Sequence, residues 1–489
     1  MKLTIKETVH EKTTPEEIIA LILNNRGIGK SNKEDFLHPQ NPSNYTLKDV
    51  GINGKDFDKA FIRLQKAHKE REKVVVYADY DVDGITGGTI LWTTLHELGF
   101  NVSPHVSYRG TEGYGFSTQS VERLKKDFSP KIIMTVDHGI TGEPFIKALN
   151  KEGIDVIVLD HHLAVHGLPK SVYALLYTRV LCGSGVSYFV SREIAKKFPS
   201  NEKLKSYFEI DFPVLAGIGT IADIVPLIGP SRALASFALK NISKTTLVGF
   251  QSLLKRTGLA EKNSHTSYDV GFIIGPRINA AGRMGDALDS LRLLCTTDAV
   301  RANNLLGKIE TYNKDRQKQV IDHLKLAEEM AESQSSSKIL FIASEKFVEC
   351  TVGLLAAKLT EKYYRPTLVG TIKNEIIKGS ARSIAVIHIT DILLENSKLL
   401  LTYGGHERAA GFSLSIENSE EFQKILTNEG KKDKYTSAFD RSVVVDVEMA
   451  LNSAGLPLAR QIEELEPFGE GNEKPLFLAH DVEILDHKN

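Results

Sequence analysis

The sequence predicts an α/β protein with a parallel sheet, followed by a smaller second α/β unit. Short apolar runs alternate with amphipathic stretches from Val74 onward, and carboxylates and histidines follow several of these runs. The same alternation begins again at Lys338, after the polar stretch from Ser333 to Ser337. Strands and helices joined in this order by short loops form doubly wound parallel sheets.

The first 70 residues are predicted to form a polar, helical cap that packs on the sheet domain. Thr14 is a suitable N-cap, and Pro15 is a suitable first residue of a helix. A second, amphipathic helix is predicted from Phe57 to Arg71, with apolar side chains on one face.

The first strand of the sheet is predicted in the run VVVYA, residues 74–78, and a helix is predicted from Ile85 to Leu98. Further strands are predicted at residues 131–136, 154–159 and 173–177. Because these strands are predicted to be parallel, their carboxyl ends should lie along one edge, where open α/β sheets bind ligands.

The 489 residues are enough for about three domains. The predicted helices and strands, with the polar break at 333–337, divide the chain into a helical cap (1–70), a sheet domain (71–298), a helical connector (299–337), a second α/β domain (338–435) and the start of a β-rich segment (436–489).

The composition favours an ordinary globular protein of the cytoplasm. No apolar run is long enough to cross a membrane, and the polar first ten residues do not resemble a signal peptide. The three cysteines are isolated, as is usual for reduced thiols. A net charge of −1 argues against a purely electrostatic nucleic-acid binder, although it does not exclude a nuclease.

Carboxylates and histidines follow four apolar segments, and their convergence would create a metal centre. A bare Asp-x-Asp-x-Asp could be a solvated acidic turn, but unpaired carboxylates at one sheet edge repel each other. Carboxylate and imidazole ligands suit two Mn or Mg ions, which support hydrolysis of phosphoesters. The residues concerned are Asp79, Asp81, Asp83, Asp137, Asp160, His161, His162 and Asp223.

The motifs resemble those of the DHH phosphoesterase superfamily. The four segments are DYDVDG (79–84), TVDHGI (135–140), LDHH (159–162) and ADIVPL (222–227). Four further stretches resemble RecJ single-strand exonucleases. They are GPRINAAGR (275–283), KGSARS (378–383), GGHERAAG (404–411) and ELEPFGEGN (464–472), the last of them similar to part of RecJ's OB-fold region.

The resemblance implies specific roles. Asp81, Asp83, Asp137, His161 and Asp223 would be metal ligands, with Asp137 bridging two ions and Asp79 a lesser ligand. His162 would act at the scissile phosphate. The implied substrate-binding residues are Arg109, Arg277, Asn279, Arg283, Ser380, Arg382 and His406. Arg232, outside these motifs, is predicted to be a solvated loop residue.

The resemblance also implies a DHH domain, a DHH-associated domain and the activity of a 5′-to-3′ exonuclease on single-stranded DNA in repair and recombination. Single-stranded DNA, a single-strand-binding protein and a helicase are the expected partners. Two alternatives stay open: a DHH-type phosphodiesterase for short RNA or cyclic dinucleotides, and an inactive replication scaffold. Retention of all the motif aspartates argues against the scaffold.

Overall fold

The structure is a computed structural model that describes residues 2–108, 112–164, 167–435, 438–483 and 486. Its strands are β1 (Lys2–Thr8), β2 (Val74–Ala78), β3 (Val102–Val106), β4 (Ile132–Val136), β5 (Asp155–Asp160), β6 (Ala174–Tyr177), β7 (Leu340–Ser344), β8 (Thr367–Lys373), β9 (Ile376–Arg382), β10 (Leu400–His406), β11 (Ala409–Ser415), β12 (Ser442–Glu448) and β13 (Phe477–Leu478).

Helices connect most of these strands. They are α1 (Pro15–Asn25), α2 (Lys33–Leu37), α3 (Gly54–Glu70), α4 (Val82–Glu97), α5 (Thr118–Phe128), α6 (Glu143–Lys151), α7 (Gly183–Lys196), α8 (Glu202–Ser206), α9 (Phe212–Ala222), α10 (Gly229–Asn241), α11 (Val248–Arg256), α12 (Gly275–Met284), α13 (Leu288–Cys295), α14 (Ala299–Ser333), α15 (Glu349–Tyr363), α16 (Ile389–Glu395), α17 (Ser419–Glu429) and α18 (Leu456–Glu464). π-Helical turns precede α9 and α12, at Tyr207–Asp211 and Asp269–Ile274. In the part of the chain described, no helix combines the length and apolar character needed to cross a membrane.

The chain divides into two compact units. The large unit contains residues 6–313 and 446–489, and the small unit contains residues 1–5 and 314–445. Helix α14 contributes residues to both units, as do the paired strands β1 and β12.

The large unit is built on a parallel sheet with the order β3-β2-β4-β5-β6. Every residue of β2 and β4 is buried, as expected for central strands covered on both faces. Val74 and Val76 pack into one apolar cluster, whereas Val75 and Tyr77 pack into another on the opposite face. The predicted doubly wound parallel sheet is therefore confirmed.

The strand order reverses at β2. The next strand in sequence, β3, lies on one side of β2, and the strand after that, β4, lies on the other. The connections that follow β2 and β4 therefore separate at the carboxyl edge of the sheet. A crevice at such a reversal is the usual ligand site of a doubly wound fold, and both strands are followed there by the predicted acidic motifs.

The small unit contains a mixed sheet with the order β10-β11-β9-β8-β7. Strands β7 and β8 are parallel, while β8, β9, β11 and β10 pair antiparallel in turn. Apolar residues of α15, such as Leu355 and Leu359, pack with Leu340 and Val369 from the sheet. The predicted second α/β unit is therefore confirmed.

The first residues of the chain do not continue the predicted helical cap. Lys2–Thr8 forms strand β1, in a sheet of order β1-β12-β13. Leu3 and Ile5 alternate with polar residues, which is the period of a strand. The partner strand lies more than 400 residues away, since the Lys2 amide donates to the Arg441 carbonyl at 2.8 Å. Local sequence patterns cannot predict the pairing of strands so far apart in the chain.

The predicted helix start at Thr14 is confirmed. The Thr14 hydroxyl accepts a hydrogen bond from the Glu17 amide, and the Glu17 carboxylate accepts one from the Thr14 amide. This reciprocal capping box satisfies amides that have no partner within the helix. The buried face of α1 then packs against α18 and β12, through residues such as Ile18, Val447 and Leu458.

Candidate active site

The first acidic segment lies at the carboxyl end of β2. Asp79 directly follows the strand and is buried. Asp81 is the N-cap of α4, and its carboxylate accepts a hydrogen bond from the Gly84 amide at 3.1 Å. Asp83 lies in the first turn of α4, where the helix dipole favours a carboxylate. The turn requires glycine at position 84, because a Cβ there would lie 2.5 Å from the Asp79 carbonyl oxygen.

The start of α7 holds Asp83 from the opposite side. The two Asp83 oxygens accept hydrogen bonds from the Gly183 amide at 2.6 Å and from the Ser184 amide at 2.8 Å. The first amides of a helix have no partner within it, so helix N-termini bind anions. This contact was not predicted, although the glycines around Ser184 do indicate a helix start that backbone groups can approach closely.

Asp160 supports the site from the end of β5. Its carboxylate accepts hydrogen bonds from the Ile140 amide at 2.8 Å, the His161 amide at 2.7 Å and His162 Nδ1 at 2.8 Å. Burial opposes ionisation, but the bonds and charge of His162 and the amides outweigh it and lower the pKa of Asp160 to about 2. An ionised Asp160 therefore fixes the orientation of His162 and the loop that follows β4.

The four motifs converge on His161. Its Nε2 atom lies 3.1 Å from Asp137 Oδ1, 3.4 Å from Asp223 Oδ2 and 3.8 Å from Asp83 Oδ2. Three sets of side chains have ligand atoms within 4.8 Å of one another: Asp137, His161 and His162; Asp83, His161 and Asp223; and Asp79, Asp81 and Asp137. Asp137 and His161 each belong to two of these sets, and Asp137 is the member that connects Asp79 and Asp81 to the histidines.

The backbone at Asp137 has an unusual conformation. Its φ of 66° is in the left-handed region, which non-glycine residues rarely adopt and which occurs often at functional sites. A Cβ at Gly183 would lie 2.6 Å from the Asp137 Cβ, so glycine there lets α7 approach the aspartate. Local geometry therefore places Asp137 between the ends of β4 and β5 and the start of α7.

The carboxylates of the cluster repel one another. Burial raises the pKa of Asp81, and the nearby Asp83 raises it further. Burial, followed by the charges of Asp83 and Asp81, raises the pKa of Asp137 well above its ordinary value. The same causes raise the pKa of Asp223 to about 9. Among the residues described, no lysine or arginine forms an ion pair with Asp81, Asp83, Asp137 or Asp223.

This donor set fits divalent cations. The groups are carboxylate oxygens and an imidazole nitrogen, which suit Mn²⁺ and Mg²⁺, and the set contains no thiolate. The uncompensated negative charge that raises the carboxylate pKa values is the charge that a cation would neutralise. The predicted ligands Asp79, Asp81, Asp83, Asp137, His161 and Asp223 therefore lie together in a geometry suitable for metal binding.

Sequence reasoning missed Tyr114 as a member of the site. Its hydroxyl donates to the Asp137 carbonyl oxygen at 3.0 Å and lies 3.1 Å from His162 Nδ1. Burial opposes protonation of His162, but the hydrogen bond and charge of Asp160 outweigh it and raise the pKa of His162. The tyrosine belongs to a glycine-rich stretch, YRGTEGYG, whose Arg109 was singled out instead. Arg109 lies outside the described residues.

The other predicted substrate-binding residues of the large unit lie on α12. Arg277 donates through Nε to Glu310 at 2.7 Å and through a terminal nitrogen to the Ile273 carbonyl at 2.8 Å. Asn279 and Arg283 are half-buried on the same helix. A Cβ at Gly282 would lie 2.8 Å from the Tyr80 carbonyl oxygen, so α12 packs against the first acidic turn.

Ser380, Arg382 and His406 lie together in the sheet of the small unit. Arg382 donates to Ser380 Oγ at 3.0 Å. His406 pairs with Ala409, which in turn pairs with Arg382, so the three predicted residues lie near one end of this sheet. Burial lowers the pKa of Arg382, and no carboxylate in the described part of the chain forms an ion pair with it. A half-buried guanidinium of this kind is suited to an anionic ligand.

Comparison with protein families identifies three regions. Residues 73–218 match the DHH family, N-terminal domain; residues 338–432 match the DHHA1 domain; and residues 445–489 match the RecJ OB domain. The first match includes three of the acidic motifs, and the second includes the predicted residues of the small unit.

Similar proteins are found among curated sequences and solved structures. The chain is 31% identical over 485 residues to the single-stranded-DNA-specific exonuclease RecJ of Bacillus subtilis, a match covering 96% of this chain and 59% of that protein. It is similar to RecJ of Thermus thermophilus in complex with Mn²⁺, with a TM-score of 0.79 and 27% identity over 97% of this chain and 69% of that one.

A second structure, of exonuclease RecJ bound to manganese, matches with a TM-score of 0.67 and 30% identity over 79% of this chain and 96% of that one. The chain spans about 60% of the length of the RecJ proteins of Bacillus subtilis and Thermus thermophilus. The agreement of the domain matches, the sequence relatives and these structures has one explanation: the chain belongs to the RecJ family of DHH proteins.

Proposed function

We propose that this protein is a metal-dependent exonuclease that hydrolyses phosphodiester bonds of single-stranded DNA from the 5′ end. The observation that carries the proposal is the cluster around His161, where carboxylates from separate strands and helices lie within ligand distance of one another at the sheet edge. Relatives named as single-stranded-DNA-specific exonucleases and RecJ structures named as bound to Mn²⁺ or Mg²⁺ support the substrate and the metals.

In this proposal Asp81, Asp83, Asp137, His161 and Asp223 would hold two divalent cations, with Asp137 as the ligand that both could share and Asp79 in a lesser role. Asp137 and His161 each belong to two of the three candidate sets, and of the two only the carboxylate has two ligand atoms with which to serve two cations. Two such cations, when bound, activate water as a nucleophile and neutralise charge on the phosphate oxygens.

The protein's own groups orient the reaction. Asp160 holds His162 by the 2.8 Å hydrogen bond and favours its protonated form, so His162 donates a hydrogen bond to a phosphate oxygen. The Tyr114 hydroxyl also contacts the imidazole, 3.1 Å from the Nδ1 atom that bonds Asp160. The amides at the start of α7 keep Asp83 in place without a further side chain.

In this proposal, polar and basic side chains of both units contact the phosphates of the DNA strand. Arg277, Asn279 and Arg283 would contact the substrate in the large unit, Ser380, Arg382 and His406 would do so in the small unit, and Arg109 would contact the 5′ end. The half-buried Arg382, which carries no ion pair in the described structure, supports the assignment in the small unit.

The wider setting follows from the family. Repair and recombination in the cytoplasm are the proposed context, supported by the three cysteines, which are free thiols in the structure. A single-strand-binding protein and a helicase stay predicted partners.

The function is tested with single-stranded DNA of about 30 nucleotides, labelled at its 3′ end, beside matched RNA and duplex. With Mn²⁺ or Mg²⁺ the labelled strand should shorten stepwise, and EDTA should abolish the reaction. Asp81→Ala should be inactive, whereas Asp58→Ala, which alters an exposed aspartate of the same unit, should match the unmodified protein.

Two results would contradict the proposal. Hydrolysis of dinucleotides or short RNA without shortening of DNA would indicate a phosphodiesterase for small substrates. Binding of DNA with no hydrolysis under any metal condition would indicate a non-enzymatic scaffold.

A further inference from the structure

Two aromatic side chains just before α12 are stacked on each other while exposed to solvent. Tyr268 and Phe272 are 63% and 69% exposed. Their ring centroids lie 4.8 Å apart, and their planes differ by only 17°. Burial of aromatic rings is strongly favourable, so a stacked pair left in solvent offers apolar surface to a ligand.

Phe272 lies in the π-helical turn at Asp269–Ile274, directly after Tyr268. The other π-helical turn of the large unit, at Tyr207–Asp211, shows that exposed aromatic rings are not a general property of such turns. There, Tyr207 and Phe208 are half-buried and pack against Phe212, with ring centroids 5.3 and 4.9 Å away. Both turns lead into a helix of the large unit. Only the turn before α12 holds its stacked aromatic pair in solvent, and rare π-helical segments occur often at functional sites.

The exposed pair is connected to the acidic cluster by direct packing. A Cβ at Gly275, three residues after Phe272, would lie 3.6 Å from the Val82 side chain and 4.0 Å from the Ala222 Cβ. Val82 follows Asp81 in the chain, and Ala222 precedes Asp223. The start of α12, directly after the turn that carries the pair, is therefore packed on two segments that supply carboxylates to the cluster.

A cationic group lies in the first turn of α12, five residues after Phe272. Arg277 donates to the carbonyl oxygen of Ile273, the residue after Phe272, at 2.8 Å, and Glu310 holds its Nε at 2.7 Å. A guanidinium fixed to the backbone next to Phe272 combines a contact for phosphate with a surface for bases. This combination is typical of proteins that bind single-stranded nucleic acid.

We propose that Tyr268 and Phe272 form a stacking platform for the bases of the single strand whose end lies in the acidic cluster. The proposal rests on the function proposed above. Every base has an aromatic face, so the platform binds without sequence preference. Bases of a duplex are already stacked within the helix, so the platform also favours single strands.

The test is a scan in which one abasic site is moved along a 3′-labelled oligothymidylate, with the KM for hydrolysis measured in Mn²⁺ for each substrate. One or two positions should raise the KM of the unmodified protein about tenfold, the effect of losing one base stack. In Phe272→Ala the KM for the intact strand should rise by the same factor, and an abasic site at those positions should add nothing further.

Three other variants separate stacking from simple apolar contact. Phe272→Trp should behave as the unmodified protein, and Phe272→Leu should behave as Phe272→Ala. Ile321→Ala, which removes an apolar side chain that is also 69% exposed but lies on α14, should change nothing. Equal abasic penalties in the unmodified protein and Phe272→Ala would overturn the proposal. Absence of hydrolysis by the unmodified protein would instead contradict the proposed function.

Discussion

Asp137 and Arg232 are both ionisable, buried and located in the large unit, but their surroundings differ. Arg232 is 1% exposed and donates hydrogen bonds to the carbonyl oxygens of Phe36, Leu465, Glu466 and Pro467. Its guanidinium also lies over the Phe36 ring, 3.7 Å from the centroid. Burial lowers the pKa of Arg232 to about 10, so it stays charged near neutral pH.

Asp137 has the opposite environment. Its carboxylate faces Asp81, Asp83 and Asp223, and burial together with these charges raises its pKa well above the ordinary value. Arg232 has its donors satisfied by backbone and joins segments near both ends of the chain, so it serves stability. The acidic cluster is destabilising in the absence of a ligand, so we infer that it is retained for binding. Substitutions should separate the two roles.

The largest expected effect is on activity. Asp137→Asn keeps the shape of the side chain but removes its charge. Loss of groups that only support metal ligands reduces activity about 10- to 100-fold, and loss of a central ligand should exceed that. The metal-free free energy of unfolding should stay the same or increase, because a buried repulsion is removed. Hydrolysis rates and urea unfolding in EDTA measure both; a large loss of metal-free stability would contradict the account.

Arg232→Met should have the reverse effect. Four carbonyl oxygens lose their donor, so the free energy of unfolding should fall by about 3 kcal/mol. Urea unfolding measures the loss. The rate of hydrolysis per folded molecule should change little, because Arg232 contacts none of the candidate ligands. Arg232→Lys, which keeps the charge but not the planar fork, is the control and should recover part of the stability.

Two glycines of α9 sharpen the comparison. A Cβ at Gly219 would lie 2.1 Å from Ser184 Oγ and 2.6 Å from Asp83 Oδ1, whereas one at Gly217 would lie 2.3 Å from the Leu234 carbonyl oxygen. Both alanine variants should lose about 1–3 kcal/mol of stability from overpacking.

Only Gly219→Ala should also weaken Mn²⁺ affinity, by about 10-fold or more, because it displaces Asp83. Calorimetric Mn²⁺ titration of the two variants is the measurement. Equal affinities would show that the position of Asp83 does not govern metal binding.

The smallest effect is expected for Tyr114→Phe. The variant loses the hydrogen bond to the Asp137 carbonyl and the contact with His162. A single hydrogen bond contributes about 1 kcal/mol, so the rate should fall about five- to tenfold. The Mn²⁺ affinity should be nearly unchanged, since Tyr114 is not among the candidate ligands. A change in affinity without a change in rate would contradict this role.

The acidic cluster could be predicted from sequence because its residues follow apolar strands at regular positions. Asp79 and Asp137 come directly after such strands, and parallel strands bring their carboxyl ends to one edge. The residue types and the predicted strand positions therefore both indicate a metal site at the carboxyl edge of the sheet. The second α/β unit could be predicted for a similar reason, since its strands and helices have clear local patterns.

The contacts of Arg232 could not be predicted. The local sequence predicts a solvated loop residue at this position, yet Arg232 is buried in α10 and bonded to residues about 200 or more positions away in both directions. Strand β1 was missed for the same reason. Tyr114 was missed because no sequence motif identifies a tyrosine whose hydroxyl contacts a backbone carbonyl and an imidazole.

The central claim is that the acidic cluster is kept for divalent cations. The most direct measurement is the free energy of unfolding with and without Mn²⁺ for the unmodified protein and Asp137→Asn. At 100 times its dissociation constant a ligand adds about 2.7 kcal/mol of stability. The unmodified protein should gain an amount of this order and Asp137→Asn should gain little. Equal stabilisation of both proteins, or of neither, would contradict the account.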